Sequence, residues 1–355
     1  MAPTLSAQPP RAPAPPPGDG TPAANGRRPG AAPPGVEPQT YPRRNPGTPV
    51  DLALVRAQRV NRSAVERRAA TLPARRTVKK AYQAAWLLRA ITCIDLTTLA
   101  GDDTPANVRR LCAKAARPVR EDLLEALGVA SGVTTGAVCV YHAYVATAVD
   151  ALRGTRVPVA AVSTGFPAGL SPLRERLAEI RASIGDGAVE IDTVITRAHV
   201  LRGEWEALYD EVCLMREACG DAHLKVILAT GELATLSNVA RASQVAMMAG
   251  ADFIKTSTGK EGVNATLPFA LVMCRAIRDY HERTGHAVGF KPAGGIRSAK
   301  GALEFQYVMK EELGTPWLMP DRFRIGASAL LTDIERQLEH HVTGRYSAAH
   351  RHPMV

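Results

Sequence analysis

The chain predicts an α/β protein: a (β/α)8 TIM barrel over residues 81–346, preceded by a disordered N-terminal extension rich in Pro, Ala and Arg. Three observations point there. Short, β-branched, apolar runs recur between residues 90 and 327, longer stretches with helical spacing separate them, and the first fifty residues share neither pattern. Strands that are apolar throughout, alternating with amphipathic helices, indicate a parallel sheet covered by helices. Eight such runs in roughly 275 residues is the size of a closed barrel. A doubly wound open sheet is the competing arrangement, but no Gly-x-Gly-x-x-Gly turn follows the first run to form a dinucleotide site.

Taken in order, residues 1–50 hold 15 of the 26 prolines and almost no large apolar side chains. Such a segment cannot bury enough surface to offset its ordering entropy and reads as a disordered tail. Residues 51–80 read as a basic helical lead-in. The eight strand runs follow at 90–95 (AITCID), 137–141 (AVCVY), 157–163 (VPVAAVS), 190–195 (EIDTVI), 224–229 (LKVILA), 252–256 (DFIKT), 287–291 (AVGFK) and 323–327 (FRIGA). Segments 203–218 and 264–283 are examples of the intervening helices, and 347–355 is left as a C-terminal tail.

Charge and composition narrow the function. The net charge of +10 lies entirely in residues 1–80, which carry 14 Lys and Arg against 4 Asp and Glu; residues 81–355 carry 30 of each. The barrel therefore has no basic surplus that calls for nucleic acid, and the lead-in reads as a solvated surface helix, with weak binding to anionic surfaces as the competing reading. No run reaches the roughly 18 to 20 apolar residues that cross a bilayer, and the first residues lack the apolar stretch of a signal peptide. The six cysteines form no Cys-x-x-Cys pair and no disulfide-like spacing. These features predict a cytoplasmic protein without a membrane partner.

A barrel places its active site at the C-terminal ends of the strands. By that rule Asp95, Cys139, Asp192, Lys255 and Lys291 converge on one mouth, along with the turn Thr230-Gly231-Glu232 after the fifth strand. Each buried charge costs several kcal/mol unless well partnered, so ionisable groups inside strands call for a purpose. A lysine attacks a carbonyl only as the neutral amine, and its free pKa near 10.4 prevents that at pH 7. Desolvation and a neighbouring cation both lower that value. Lys255 in the sixth strand, with Lys291 on the seventh, supplies the arrangement; Asp192 is then the candidate proton shuttle. Phosphate recognition is expected from Gly294 and Gly295 after the seventh strand and from Gly326 and Ser328 after the eighth. Thr258, Gly259 and Lys260 would close that cradle.

Other residues have plainer readings. Lys225 lies near the start of its strand, which suggests pairing or exposure at the lower end of the barrel. His340, His341, His350 and His352 fall at the end of the last helix and in the tail, with no carboxylate or cysteine at zinc spacing, so no metal is expected. Cys139 reads as a small pocket-lining residue, and Trp86, Trp205 and Trp317 as packing.

The strings IDLTTL, KVILATGEL, DFIKTSTGKEG, GFKPAGGIRS and RIGASALL together resemble the deoxyribose-phosphate aldolase family, over about residues 90 to 346. The similarity is to its longer, animal-type branch, since Ala229 stands where the short bacterial forms usually have Glu. The resemblance implies a class I aldolase without metal or organic cofactor, which reversibly cleaves 2-deoxy-D-ribose 5-phosphate to D-glyceraldehyde 3-phosphate and acetaldehyde in deoxyribonucleotide catabolism. It implies Lys255 as the Schiff-base lysine, Lys291 as the lysine that perturbs it and Asp192 as the proton relay. Asp95 and Cys139 would line the substrate pocket, while Gly259, Lys260, Gly294, Gly295 and Ser328 fall at phosphate-binding positions. Some members end in a tyrosine that reaches the site from a mobile tail. This chain ends in Pro353-Met354-Val355, with Tyr346 as the nearest tyrosine. Another Schiff-base sugar-phosphate aldolase, or a barrel serving an interaction made by the basic N-terminal arm, are the alternatives, and a homodimer is left open.

Overall fold

In the computed structural model, which describes residues 44–75, 78–129 and 132–352, eight strands run parallel. They are β1 (Ile94–Thr97), β2 (Ala137–Tyr141), β3 (Val159–Ser163), β4 (Glu190–Val194), β5 (His223–Ile227), β6 (Phe253–Lys255), β7 (Gly289–Lys291) and β8 (Ile325–Ala327). Each pairs with its neighbour in sequence from β1 to β7, and β1 also pairs with β8. Bridges Phe290↔Phe323 and Ala293↔Gly326 join the remaining two edges, so the sheet closes into a barrel.

Three helices precede β1: α1 (Leu52–Ala57), α2 (Arg62–Arg75) and α3 (Lys80–Thr92). Helices α4 (Pro105–Ala116) and α5 (Glu121–Ala126) follow β1, α6 (Val145–Ala151) follows β2 and α7 (Leu173–Gly185) follows β3. After β4 come α8 (Arg197–Arg202) and α9 (Trp205–Cys219), then α10 (Leu236–Met248), α11 (Leu267–Thr284), α12 (Ala299–Leu313) and α13 (Ala329–Thr343) behind β5 to β8. Their starts are chemically marked: Thr104, Thr235, Thr266 and Ser298 each accept the amide three residues on, which satisfies an otherwise unpaired helix donor.

Side chains alternate across each strand, so the two faces of the sheet separate by chemistry. Ile191, Val138 and Val140 face the helices and join the main apolar core. Their neighbours turn inward: Cys139, Ala160 and Val162 form a small apolar patch inside the barrel, and Glu190 and Asp192 lie two residues apart on that inner face. Register then sets the inner charges side by side, with Asp192 opposite Lys225 and Lys255 opposite Lys291.

The ends of the chain differ from the sequence expectation. Residues 90–92 are the last turn of α3, not the start of a strand, because Leu87, Ala90 and Ile91 form one buried helical face. Residues 1–43 of the expected tail lie outside the described residues, but Asn45 is buried against the barrel. Its side-chain nitrogen donates to Met247 O (2.7 Å) and Ala251 O (2.9 Å), its Oδ1 accepts from Tyr280 OH (3.0 Å), and its backbone N–H reaches Asp252 Oδ1 (3.0 Å). The lead-in also docks, through Val55, Val65, Ala69 and Leu72. At the other end, His352 is buried, with Nε2 3.1 Å from Glu339 and Nδ1 3.6 Å from Glu335. Tyr346 is exposed and stacks on His340 beyond the end of α13. That helix starts at the mouth and runs 15 residues, about 22 Å, so Tyr346 stands at the opposite end of the barrel. Among the described residues no helix is long and apolar enough to cross a membrane.

Candidate active site

β6 ends at Lys255, and its Nζ reaches Asp192 Oδ2 at 2.7 Å. Lys291, one strand over, reaches the same oxygen at 2.6 Å and Asp95 Oδ2 at 2.5 Å. The three groups expected to carry the chemistry are thus in direct contact, with Asp192 between the two lysines.

Lys225 is paired, one of the two expected outcomes, but deep inside the barrel. It sits in the middle of β5, fully buried and pointing inward, with Nζ 2.5 Å from Glu190 Oε2 and 3.0 Å from Asp192 Oδ1. Pairing is correct; exposure at the lower end is not. Asp95 also differs from its expected place, since it lies under the cavity and links Lys291 to Arg324 Nη1 (2.6 Å from Oδ1). Arg324 completes the cluster through Glu190, at 2.8 Å. Two of these residues went unnoticed in the sequence. Period-two alternation puts Glu190 on the same face as Asp192, and Arg324 interrupts an apolar run; both signals were readable.

The cluster contains four basic groups, Lys225, Lys255, Lys291 and Arg324, and three carboxylates, Asp95, Glu190 and Asp192. Lys225, Lys291 and Arg324 each bond two of the carboxylates. Lys255 bonds one, on an oxygen it shares. An excess buried cation is costly, and the proton most easily lost is the least compensated one. Accordingly, burial lowers the Lys255 pKa against the pull of Asp192, and the Lys291 charge lowers it further. Burial also disfavours charge on Lys291, but Asp192 and Asp95 outweigh it and raise that pKa, so Lys291 stays an ammonium. For Asp192, burial favours the neutral acid; Lys225, Lys255 and Lys291 together overcome this and hold the carboxyl well below its usual range.

Above the cluster opens a cavity of about 390 Å³ whose wall includes Lys255. Thr258, Gly259, Lys260, Gly294, Gly295, Gly326 and Ser328 all line it, as expected, together with Thr97, Thr98 and Arg297. Gly294 adopts φ +82°, and a Cβ there would come within 2.7 Å of the Asn264 side chain. Ser328 leads into α13 without capping it through its side chain, and Ala329, the first residue of that helix, lines the cavity beside it. The β6–α11 loop behaves differently. The Glu261 carboxylate accepts both Thr258 N (3.0 Å) and Gly259 N (3.1 Å), so those two amides are engaged within the loop, and Lys260 is the cation the loop brings to the cavity. Arg197 braces this rim, with Nε 2.6 Å from Glu232 and Nη2 3.7 Å from Glu261, and it also donates to Pro167 O at 3.1 Å. Cys139 lies below the cavity in the Ala160–Val162 patch, against Tyr141 and Phe166, and burial raises its thiol pKa, away from nucleophile behaviour.

A parallel barrel with an under-compensated lysine at its mouth and glycine-rich loops above it is an arrangement suited to imine chemistry. Residues 89–331 match the DeoC/LacD family aldolase profile, and the chain belongs to that family. Human deoxyribose-phosphate aldolase is 63% identical over 313 residues, covering 87% of this chain and 98% of its own. The mouse protein of the same name is 63% identical over 311 residues, with 87% and 98% covered. Among solved structures, a tetrameric deoxyribose phosphate aldolase from Aeropyrum pernix superimposes with a TM-score of 0.54 at 23% identity, covering 74% of this chain and 98% of that one, a likeness of fold.

Proposed function

We propose that this chain reversibly cleaves 2-deoxy-D-ribose 5-phosphate to D-glyceraldehyde 3-phosphate and acetaldehyde through an imine on Lys255. The observation that carries the reading is that Lys255 lines the cavity with a single, shared carboxylate contact, while every other cation in the buried cluster has at least two. The relatives that bear this activity's name match along nearly their whole length, which supports the choice of substrate.

In this reading the Lys255 amine attacks the C1 aldehyde. The carbinolamine loses water to give a protonated imine, with Asp192 moving the proton directly or through water. Loss of the C3 hydroxyl proton then breaks the C2–C3 bond, and its electron pair passes into the imine to leave an enamine. D-Glyceraldehyde 3-phosphate departs; C2 takes a proton, and hydrolysis of the new imine frees acetaldehyde and the lysine. The imine is itself the electron sink. Lys291 keeps its charge throughout and acts on Lys255 electrostatically, while Lys260, Gly294, Gly295 and Ser328 hold the phosphate.

Borohydride reduction with acetaldehyde present, followed by peptide mapping, tests the assignment. A two-carbon adduct on Lys255 is expected. An adduct on Lys291 or Lys260 instead overturns it.

A further inference from the structure

Arg324 precedes β8 and does not line the cavity, yet it occupies a prepared seat. Its Nη1 lies 2.6 Å from Asp95 Oδ1, its Nη2 lies 2.8 Å from Glu190 Oε1, and its Nε donates to Pro320 O. Gly136, just ahead of β2, leaves the room: a Cβ there would stand 3.2 Å from Arg324 Cδ, 3.3 Å from its Nε and 2.8 Å from Thr92 O. Two ionic paths lead from the guanidinium to the reacting end. One runs through Asp95 and Lys291 to Asp192, the other through Glu190 and Lys225 to the same carboxylate. The paths close into a ring, and Lys255 hangs from the far side of it.

We propose that Arg324 is a positioning residue for the imine chemistry, supplying the buried positive charge that keeps the cluster from holding a proton on Lys255. The proposal rests on the reading of Lys255 as the imine-forming lysine.

Among the described residues, the groups facing the ring are as follows, by element. Cys93 and Asp95 come from the β1 segment, Cys139 from β2, Glu190 and Asp192 from β4, His223 and Lys225 from β5, Lys255 from β6 and Lys291 from β7. The β3 side chains beside Cys139, Ala160 and Val162, carry no charge. Burial keeps three of these groups uncharged: it pushes the Cys93 thiol up to about 12, raises that of Cys139 and lowers the His223 pKa. Among the described residues, what remains balances when Lys255 is neutral and carries one excess positive charge when it is protonated. Without Arg324 the balance inverts: Lys225, Lys255 and Lys291, all protonated, match the three carboxylates, and Lys255 keeps its proton. Without the Glu190 charge the change is opposite. Losing both restores the parent balance.

The test is the pH dependence of imine trapping, measured with acetaldehyde and cyanoborohydride and mapped to the adduct site. Arg324→Met is expected to move the acid limb about one pH unit alkaline, with trapping at pH 7 about tenfold slower and recovering at higher pH. Glu190→Gln is expected to move the limb the other way, and Arg324→Met with Glu190→Gln together to return it near the parent position. Arg324→Lys, which keeps charge and loses the fork, is expected to stay close to the parent profile. A uniformly slower reaction with an unmoved limb, or a double variant showing both lesions added, overturns the proposal. If Arg324→Met does not fold, Glu190→Gln and the double variant still decide it, since a structural pair predicts no acid shift in the first and no rescue in the second. Failure of the Lys255 reading is separately visible, as an adduct mapped elsewhere in the parent enzyme.

Discussion

Replacing Lys291 with leucine separates two roles that the geometry allows it. Its ammonium and that of Lys255 touch one oxygen of Asp192, at 2.6 and 2.7 Å, so they lie about 5 Å apart or less. At the effective dielectric constant of about 20 that suits protein sites, two like charges at that separation repel by roughly 3 kcal/mol. That corresponds to about a hundredfold in the protonation equilibrium of Lys255. The sign follows from the contacts. The Lys291 charge lowers the Lys255 pKa, so its removal raises it, and Asp192, relieved of a competitor, binds the Lys255 ammonium more firmly. Turnover of Lys291→Leu at pH 7 is therefore expected to fall about a hundredfold, and to recover as the pH climbs through the new Lys255 pKa. The measurement is the pH–rate profile for cleavage of deoxyribose 5-phosphate, with glyceraldehyde 3-phosphate detected by a coupled dehydrogenase. Lys291→Arg keeps the charge but misplaces it, and is expected to retain part of the rate without a large shift of the limb. A uniformly low, unshifted profile in Lys291→Leu would mean that Lys291 transfers protons or positions substrate, and the electrostatic account would fail.

Other expectations follow from the same contacts. Lys255→Ala is expected to abolish turnover and borohydride trapping while leaving the thermal midpoint near the parent value, since Asp192 keeps its bonds to Lys225 and Lys291; a clear drop in the midpoint would contradict that description. Glu261→Ala frees the Thr258 and Gly259 amides from their shared acceptor and loosens the loop that carries Lys260. It is expected to raise KM for the phosphorylated substrate about tenfold, from the loss of about 1.5 kcal/mol in loop-holding hydrogen bonds, with little change for unphosphorylated deoxyribose. Equal changes for both substrates would remove the loop from phosphate recognition. Asn45→Ala, which leaves the buried Tyr280 hydroxyl without the Asn45 acceptor, is expected to cost about 1 to 3 kcal/mol in denaturant unfolding without altering the rate of trapping.

The barrel and its lysine were legible because both depend on periodic signals. Continuous apolar runs mark doubly covered strands, and a lysine at the end of such a run, in DFIKT, has no outer face to escape to. Asp192 and Lys291 could be placed by strand order alone. Lys225 could not, because its place was judged from the local string LKVILA, whereas its depth is fixed by pairing with β4 across the sheet. The start of β1 was obscured because AIT, at residues 90–92, satisfies a strand pattern as well as the buried face of α3. The engagement of the Thr258 and Gly259 amides by Glu261 depends on how one short loop folds on itself, and residue type gives no sign of it. Glu190 and Arg324 were different: both sat in plain view at charge-bearing positions of strand runs, and only a question about the partner of each buried charge was needed to find them.

The docking of Asn45 bears on where the protein can be cut. Its long-range bonds reach the last turn of α10, the turn between α10 and β6, and the side of α11, and the carboxylate of Asp252 that receives its amide also accepts Leu224 N and the Arg216 guanidinium. β6 has three residues and pairs with β5 and β7, and that turn adds a further anchor at the far end of the strand carrying Lys255. A shortened version for expression, immobilisation or fusion should therefore begin no later than residue 44, although the first strand starts fifty residues further on. A partner fused at residue 81 would replace this fastening with a free end, and loosening is expected first at the base of β6.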